Sequence, residues 1–303
     1  MFNPQYKITG KILNLLTFIA EARSVISRAK LLPKHELRLR RQALIRMTHS
    51  STAIEGNMLN ISQVEDLLAN KKIDAPSRDI FEVQNYLKAL KYIEQVVEKK
   101  QQITEKVILK IHQLVTAKTL PEEQSGHYRL GPNFVVRRHF GQPLEVVYTG
   151  PAVEKVAGLM KNFVEWIQQS AEKEIHPILV AGLVHQEFVA IHPFTDGNGR
   201  TARALATLIL YQRGYDFKRL FALEDYYNQD RPKYYAAINL GKNYEERITA
   251  DFTPWLEYFV KGFRQEIDDV KEKVTSLSFR KVNEKIASKA IFCLTKIKNY
   301  PSI

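Results

Sequence analysis

Residues 177–214 constrain this chain more than any other stretch. PILVAGLVHQEFVAI and RTARALATLILYQR are two segments of helical length, and the first is almost wholly apolar. A helix that is apolar all round is buried, not amphipathic. Pro177 is well placed as a first helical residue, and Gly214 stops the second segment. HPFTDGNG lies between them and cannot be helical throughout. Two buried helices flanking a glycine-rich loop put that loop at the centre of the domain.

The rest of the chain reads as mostly helical around that centre. Helical spacing predicts helices over 12–29 and 35–49. Ser62 with Glu65 three residues later predicts a capping box that opens a short helix through Leu68. Ile80, Val83, Leu87, Leu90, Ile93 and Val97 trace one face over 79–98, and Ile108, Ile111, Leu114 and Val115 trace another. The rhythm then changes at Pro121, Gly126, Gly131 and Pro132. FVVRR and LEVVY, separated by HFGQP, predict a hairpin with Gly141 available for a positive φ. Helical spacing resumes from Val153 to Ile167, and further helices are expected near 231–243 and 253–275. The expected fold class is all-α with one small β-hairpin. The expected organisation is an N-terminal helical region (1–103), a core (104–265) and a basic C-terminal segment (266–303).

Composition narrows the setting. Apolar residues make up 45% of 303, enough to bury a sizeable core without staples. The lone Cys293 excludes an internal disulfide framework and a cysteine-based zinc site, which fits a reducing, cytoplasmic compartment. No run approaches the length of a membrane span, so no membrane association is expected. Lys7 and Lys11 before ILNLLTFIA loosely mimic a signal peptide. Ile12, Leu15, Leu16, Ile19 and Ile26 recur at helical spacing, however, and predict an amphipathic core helix. The formal charge of +12 favours anionic partners without choosing among them. Lys30, Lys34, Arg38, Arg40, Arg41 and Arg46 read as a solvated helix face. Residues 271–303 carry eight Lys/Arg against two Glu.

The central loop carries the chemistry. Gly197 and Gly199 let the backbone turn tightly and approach a ligand. The helix that follows presents free N–H groups and its positive dipole end. Arg200 and Arg203, three apart, share a face near that end. Together these suit a polyphosphate. Asp196 is an acid among cations, and a divalent cation bridged to substrate phosphates fits it. His192 has the pKa for proton abstraction near neutrality. Phe194 is expected to anchor the loop inward. His127, His176 and His185 read as structural histidines. No G-x-x-x-x-G-K-[ST] is present, so this is not a P-loop NTPase.

HPFTDGNGRTAR matches every fixed position of H-P-F-x-D-G-N-G-R-x-x-R, and in this the chain resembles the Fic family. SGHYRLGPNFVV and its hairpin (about 133–148) resemble the family's flap, which lines up a target protein by adding a strand, with Val135 and Val136 in docking positions. RPKYYAAIN resembles the segment around the nucleotide-base pocket, which makes Tyr234 and Tyr235 candidates there. Lys242 stands where some relatives have Asn. SSTAIEGN matches the inhibitory motif S/T-x-x-x-E-G/N through Ser51, Glu55 and Gly56, in the arrangement with an N-terminal inhibitory helix. The resemblance covers roughly residues 5–265. It implies a protein adenylyltransferase that uses ATP with Mg²⁺ and moves AMP onto a Ser, Thr or Tyr hydroxyl of a target protein or of itself. In that reading His192 is the general base and Asp196 holds the metal. Gly197, Asn198 and Gly199 form the anion hole, Arg200 contacts phosphates and Arg203 contacts the γ-phosphate. Glu55 would pair with Arg203 and block productive binding. Competing expectations are a DNA-binding regulator, using the basic C-terminal segment as a truncated winged helix, and a Fic enzyme that removes AMP or transfers another phosphate-containing group. A homodimer stays open.

Overall fold

A computed structural model describes residues 2–137 and 145–297, with side chains described through 278 apart from that of Arg137. The hairpin tip HFGQP with Gly141, the last six residues and the side chain of Cys293 lie outside the described residues.

The chain opens with α1 (Gly10–Arg28), capped by Thr9, whose hydroxyl accepts from the Ile12 N–H. Ile12, Ile19 and Ile26 are buried against the C-terminal helix α12 (Thr253–Ile297), so α1 is the amphipathic helix its spacing predicts. α2 (Pro33–Ile54) runs five residues beyond the predicted end at 49. SSTAI lacks an apolar period, and it stays helical because tertiary packing buries Ser50 through Ile54 from several sides. α3 (Ile61–Leu68) is capped by Asn60 and Gln63, not by Ser62 and Glu65. The box therefore sits two residues earlier than the sequence pattern placed it, because Asn60 is the residue that holds the extended backbone a cap needs. α4 (Ser77–Glu98) and α5 (Glu105–Thr116) pack on each other.

β1 (Phe134–Arg137) and β2 (Glu145–Thr149) pair antiparallel, Phe134 with Thr149 and Val136 with Val146, with an irregularity after Val135. α6 (Val153–Gln169) then leads to the central pair, α7 (Pro177–Ile191) and α8 (Asn198–Gln212). Every residue of α7 from Ile178 to Phe188 is buried. Fully burying side chains of this size stabilises by about 1.5–3 kcal/mol each, and the site is hung from this pair. Gly182 has no side chain because α12 lies directly against it: a Cβ there would come 3.0 Å from Leu256, and its carbonyl accepts from Trp255 Nε1 at 2.7 Å.

The C-terminal third departs from the expected helices. α9 (Leu223–Gln229) has no counterpart among them, α10 is shorter (Arg231–Ile238), and α11 (Tyr244–Ile248) follows it. α12 does not end near 275 but continues to Ile297, with no strand or break in the described part. A buried ion pair fastens α11 to α7: Glu187 accepts from Arg247 and, at 2.9 Å, from the Tyr244 hydroxyl. The Thr149 N–H donates to the Lys242 carbonyl at 2.9 Å, so the base of the hairpin is tied to the same corner.

No helix among the described residues is long and apolar enough to cross a membrane.

Candidate active site

His192 is the C-cap of α7 and adopts a left-handed backbone, φ 48° and ψ 57°. A non-glycine residue holds that conformation only when its surroundings over-determine it. Here they do. The Arg129 guanidinium donates to the His192 carbonyl at 2.9 Å, and also to the Gly131 and Pro151 carbonyls. His192 Nδ1 lies 3.0 Å from the Val189 carbonyl. A carbonyl only accepts, so Nδ1 carries the proton and Nε2 keeps its lone pair. Burial lowers the His192 pKa against the opposing pull of the Val189 bond and of Glu55. The imidazole is therefore neutral at pH 7, in the tautomer a base requires.

The loop after it is braced from inside. Phe194 is fully buried and stacks on His112, with centroids 3.6 Å apart and planes 4° apart. The Asn198 side chain accepts from the Phe194 N–H at 3.0 Å and donates to its carbonyl at 2.8 Å. Asn133, at the start of the hairpin, donates to the same carbonyl at 3.1 Å. The Gly126 N–H donates to His112 Nδ1 at 2.9 Å, so His112 donates through Nε2 to the Asp196 carbonyl, also at 2.9 Å. Burial lowers the His112 pKa to about 4, so this bridge stays neutral. Gly197 has φ 77°, and a Cβ there would lie 2.7 Å from the Thr116 methyl group. Only glycine fits that turn.

α8 begins at Asn198 with no side-chain cap on Gly197. The N–H groups of its first turn, Asn198, Gly199 and Arg200, have no intrahelical partner, which makes a cradle for an anion. Arg200 is buried between Glu82, at 3.3 Å, and Asp196, at 3.4 Å. Arg203 is buried too. It donates to the Ser51 hydroxyl at 2.9 Å, to the Ser51 carbonyl at 2.8 Å and to Glu55 Oε1 at 2.7 Å. Glu55 is the C-cap of α2, and Gly56 turns the chain away with φ 96°. The Glu55 carboxylate reaches over the first turn of α8 so closely that a methyl group at Gly199 would collide with it.

Residues 102–210, which run from just before α5 to the end of α8, match the model of the Fic/DOC family. The chain carries a domain of the Fic/DOC family. It is 31% identical over 232 residues to "Protein adenylyltransferase Fic" of Nematostella vectensis, covering 75% of this chain and 49% of that protein. It is 29% identical over 255 residues to the protein of the same name in Drosophila willistoni, covering 84% and 45%. The chain thus spans about half the length of the curated relatives it matches. Among solved structures, a Fic family protein from Desulfovibrio desulfuricans G20 superposes with a TM-score of 0.72 at 28% identity, covering 88% of this chain and 76% of that one. A Fic-domain signaling protein from Bacteroides thetaiotaomicron shares the fold, with a TM-score of 0.72 at 21% identity and coverage of 88% and 97%.

Other predicted residues of the Fic domain and its flanks are placed as follows. Tyr234 does not face an open pocket: it is 2% exposed, meets His185 Nε2 through its hydroxyl at 3.0 Å and stacks on Tyr227. The helix α10 turns it into the core and leaves Tyr235, 43% exposed, at the surface, where its hydroxyl donates to the Ile54 carbonyl at 3.0 Å. Val135 is half-buried and Val136 exposed on β1. Asn198 contributes its side chain to the loop brace, which leaves only its backbone N–H for a ligand. Asp196 Oδ1 takes the Gly197 N–H at 2.6 Å, while Oδ2 takes Arg78 at 3.1 Å. Arg78 is 62% exposed and Asp196 37%, so that contact is open to exchange. No group of three or more His, Cys, Asp or Glu among the described residues could hold a metal. The single carboxylate fits a hard cation that draws its other ligands from phosphate and water.

Sequence reasoning missed Arg78, Glu82, His112, Arg129 and Asn133. Arg129 and Asn133 lie inside the flap motif and were readable there. Arg78 reaches Asp196 and Glu82 reaches Arg200, each across 118 positions, and no local pattern announces them.

Behind Arg203, Glu224 on α9 is buried with Oε1 accepting from the Tyr86 hydroxyl at 3.0 Å and Oε2 unpartnered. Burial raises its pKa from 4.5 to about 7, against the Tyr86 bond and Arg203. The folded chain therefore holds a proton that the unfolded chain releases, and stability falls as pH rises from about 4.5 to 7. Glu224→Gln removes that loss. Urea denaturation is expected to show the variant more stable than wild type at pH 8, by up to about 3 kcal/mol, and close to it at pH 4. Equal differences at both pH values would refute the assignment.

Proposed function

We propose that this chain is an autoinhibited protein adenylyltransferase that moves AMP from ATP to a Ser, Thr or Tyr hydroxyl of a protein. The observation that carries the reading is the lone pair of His192 Nε2 beside an uncapped helix start flanked by Arg200 and Arg203. Those parts are what in-line transfer to the α-phosphorus of a nucleotide needs. The names of the curated relatives agree with it. Residues 104–265 supply the catalytic core, residues 1–103 the inhibitory helix, and 266–303 a basic segment of separate role.

In this mechanism the triphosphate lies along the first turn of α8, on the N–H groups of Asn198, Gly199 and Arg200. Arg200 balances phosphate charge, and Arg203 takes the terminal phosphate. Asp196 would hold Mg²⁺, which would neutralise phosphate charge when bound. The target segment adds to the edge of the hairpin at Val135 and Val136 and presents its hydroxyl to His192. Nε2 accepts the hydroxyl proton as the oxygen bonds to the α-phosphorus. The bond from that phosphorus to the bridging oxygen breaks, and pyrophosphate leaves. Glu55 occupies the guanidinium that the terminal phosphate requires, so the two compete for Arg203.

The test is the fate of labelled ATP when Glu55→Gly protein is incubated with Mg²⁺ and a whole-cell lysate. Label at the α-phosphate is expected to enter protein, with a mass increase of one AMP, whereas label at the γ-phosphate is expected to leave as pyrophosphate. Incorporation of γ-label would make the enzyme a phosphotransferase instead.

A further inference from the structure

The reading of Glu55 uses the last turn of α2 but leaves the polar residues of the turn before it unexplained. Arg46 donates to Asp225 Oδ2 at 2.7 Å and lies 3.4 Å from Glu266 Oε2. Ser50 donates to the other oxygen of Asp225, Oδ1, at 2.5 Å, and accepts from Asn228 at 3.4 Å. Glu266 in turn accepts from the N–H of Ala222, the residue at the start of α9, at 3.3 Å. One carboxylate of α9 thus takes donors from successive turns of α2, and α12 backs the arrangement.

The geometry has a direct consequence for Glu55. Arg46 and Ser50 are four residues apart and stand one above the other on a single face. Ser51 and Glu55 repeat the same spacing on the adjoining face, toward Arg203. Two donors on one fixed carboxylate hold a helix against rotation and against sliding. A slide of one turn would carry Glu55 about 5.4 Å along the axis, out of reach of Arg203. A half-buried ion pair such as Arg46 with Asp225 contributes little to stability alone, since its Coulombic gain is offset by desolvation. It is a good device for fixing register. Arg46 is also reachable from outside, because it lines a cavity of about 300 Å³ with Gln42, Glu65 and Lys273.

We propose that Arg46, Ser50 and Asp225 form a latch that holds α2 in the one register where Glu55 engages Arg203. They are positioning residues for inhibition, and the proposal rests on the inhibitory reading of Glu55 given above.

The experiment compares full-length wild type, Arg46→Gln, Arg46→Lys, Ser50→Ala, Glu55→Gly and the double variant Arg46→Gln/Glu55→Gly. AMP transfer is measured together with hydrogen exchange of the amides over 50–56. Arg46→Gln is expected to raise transfer roughly tenfold and to speed exchange over 50–56 by a similar factor, with α7 unchanged. Arg46→Lys is expected to restore part of the inhibition. Added to Glu55→Gly, Arg46→Gln is expected to give no further gain, because both act through one contact. Ser50→Ala, a smaller change, gives the same signs if Arg46→Gln fails to fold. Wild-type transfer and exchange in Arg46→Gln and Ser50→Ala, beside an active Glu55→Gly, overturn the latch. A gain that multiplies that of Glu55→Gly overturns it too. An inactive Glu55→Gly counts against the proposed function itself, and the latch then stands or falls on the exchange over 50–56.

Discussion

His192→Ala is expected to lower AMP transfer by a factor of roughly 10²–10⁴, the usual worth of a positioned general base, while leaving nucleotide binding within about twofold of wild type. The split follows from the geometry. His192 hangs from the C-terminus of α7 and holds its place through Arg129 and the Val189 carbonyl. None of the groups assigned to the triphosphate depends on its ring, because the first turn of α8, Arg200 and Arg203 are set by Asn198, Glu82 and Ser51. Removal of the imidazole takes away the proton acceptor and little else. The measurement is single-turnover labelling in the Glu55→Gly background, with calorimetric titration of ATP beside it. Loss of ATP binding in parallel with transfer would mean that the ring is part of the pocket wall and not a base. Burial lowers the His192 pKa, so the basic form predominates at neutral pH, and the rate is expected to fall only as acid protonates Nε2.

Glu55→Gly should act in the opposite direction, raising transfer by roughly 10- to 100-fold, the range that a hydrogen bond to a charged group commands. It should also leave a second mark that a mere local cap would not. Arg203 is almost wholly buried, and with Glu55 gone its hydrogen-bond partners are neutral, the oxygens of Ser51 and the Tyr234 hydroxyl. A buried cation without its counter-charge destabilises the fold. The Glu55→Gly protein is therefore expected to melt below wild type without nucleotide and to gain more than wild type when ATP and Mg²⁺ are added, because the triphosphate supplies the missing charge. Thermal melts of the two proteins with and without ATP check this. Equal shifts on ATP addition would show that Glu55 and the nucleotide do not share Arg203.

The fold and the loop were legible in the sequence for physical reasons. α7 announces itself because a helix without a polar face has only one place to go, and the loop because its residue types at that spacing serve so few other purposes. α1, α4 and the hairpin followed from plain periodicity. The failures have equally definite causes. The periodicity of α2 ends at 49 although the helix does not, because SSTAI is buried without being apolar, and burial there depends on Arg203, Asp225 and Ile54's neighbours and not on a repeating stripe. The cap of α3 slipped because two overlapping pairs, Asn60 with Gln63 and Ser62 with Glu65, both satisfy the spacing rule. α9 is seven residues long, too short for a periodic signal. Tyr234 and Tyr235 are adjacent and chemically alike, and only the packing of α10 decides which one turns inward.

In the proposed mechanism, the stack of His112 on Phe194 decides how the cradle meets its ligand. The histidine is neutral and keeps one donor and one acceptor engaged down to about pH 4, so the segment between the two central helices arrives at the encounter already in its working shape. Little of the affinity then has to go into ordering backbone. Variation among substrates is accordingly expected to appear in how they sit at the rim, while the floor beneath them stays the same.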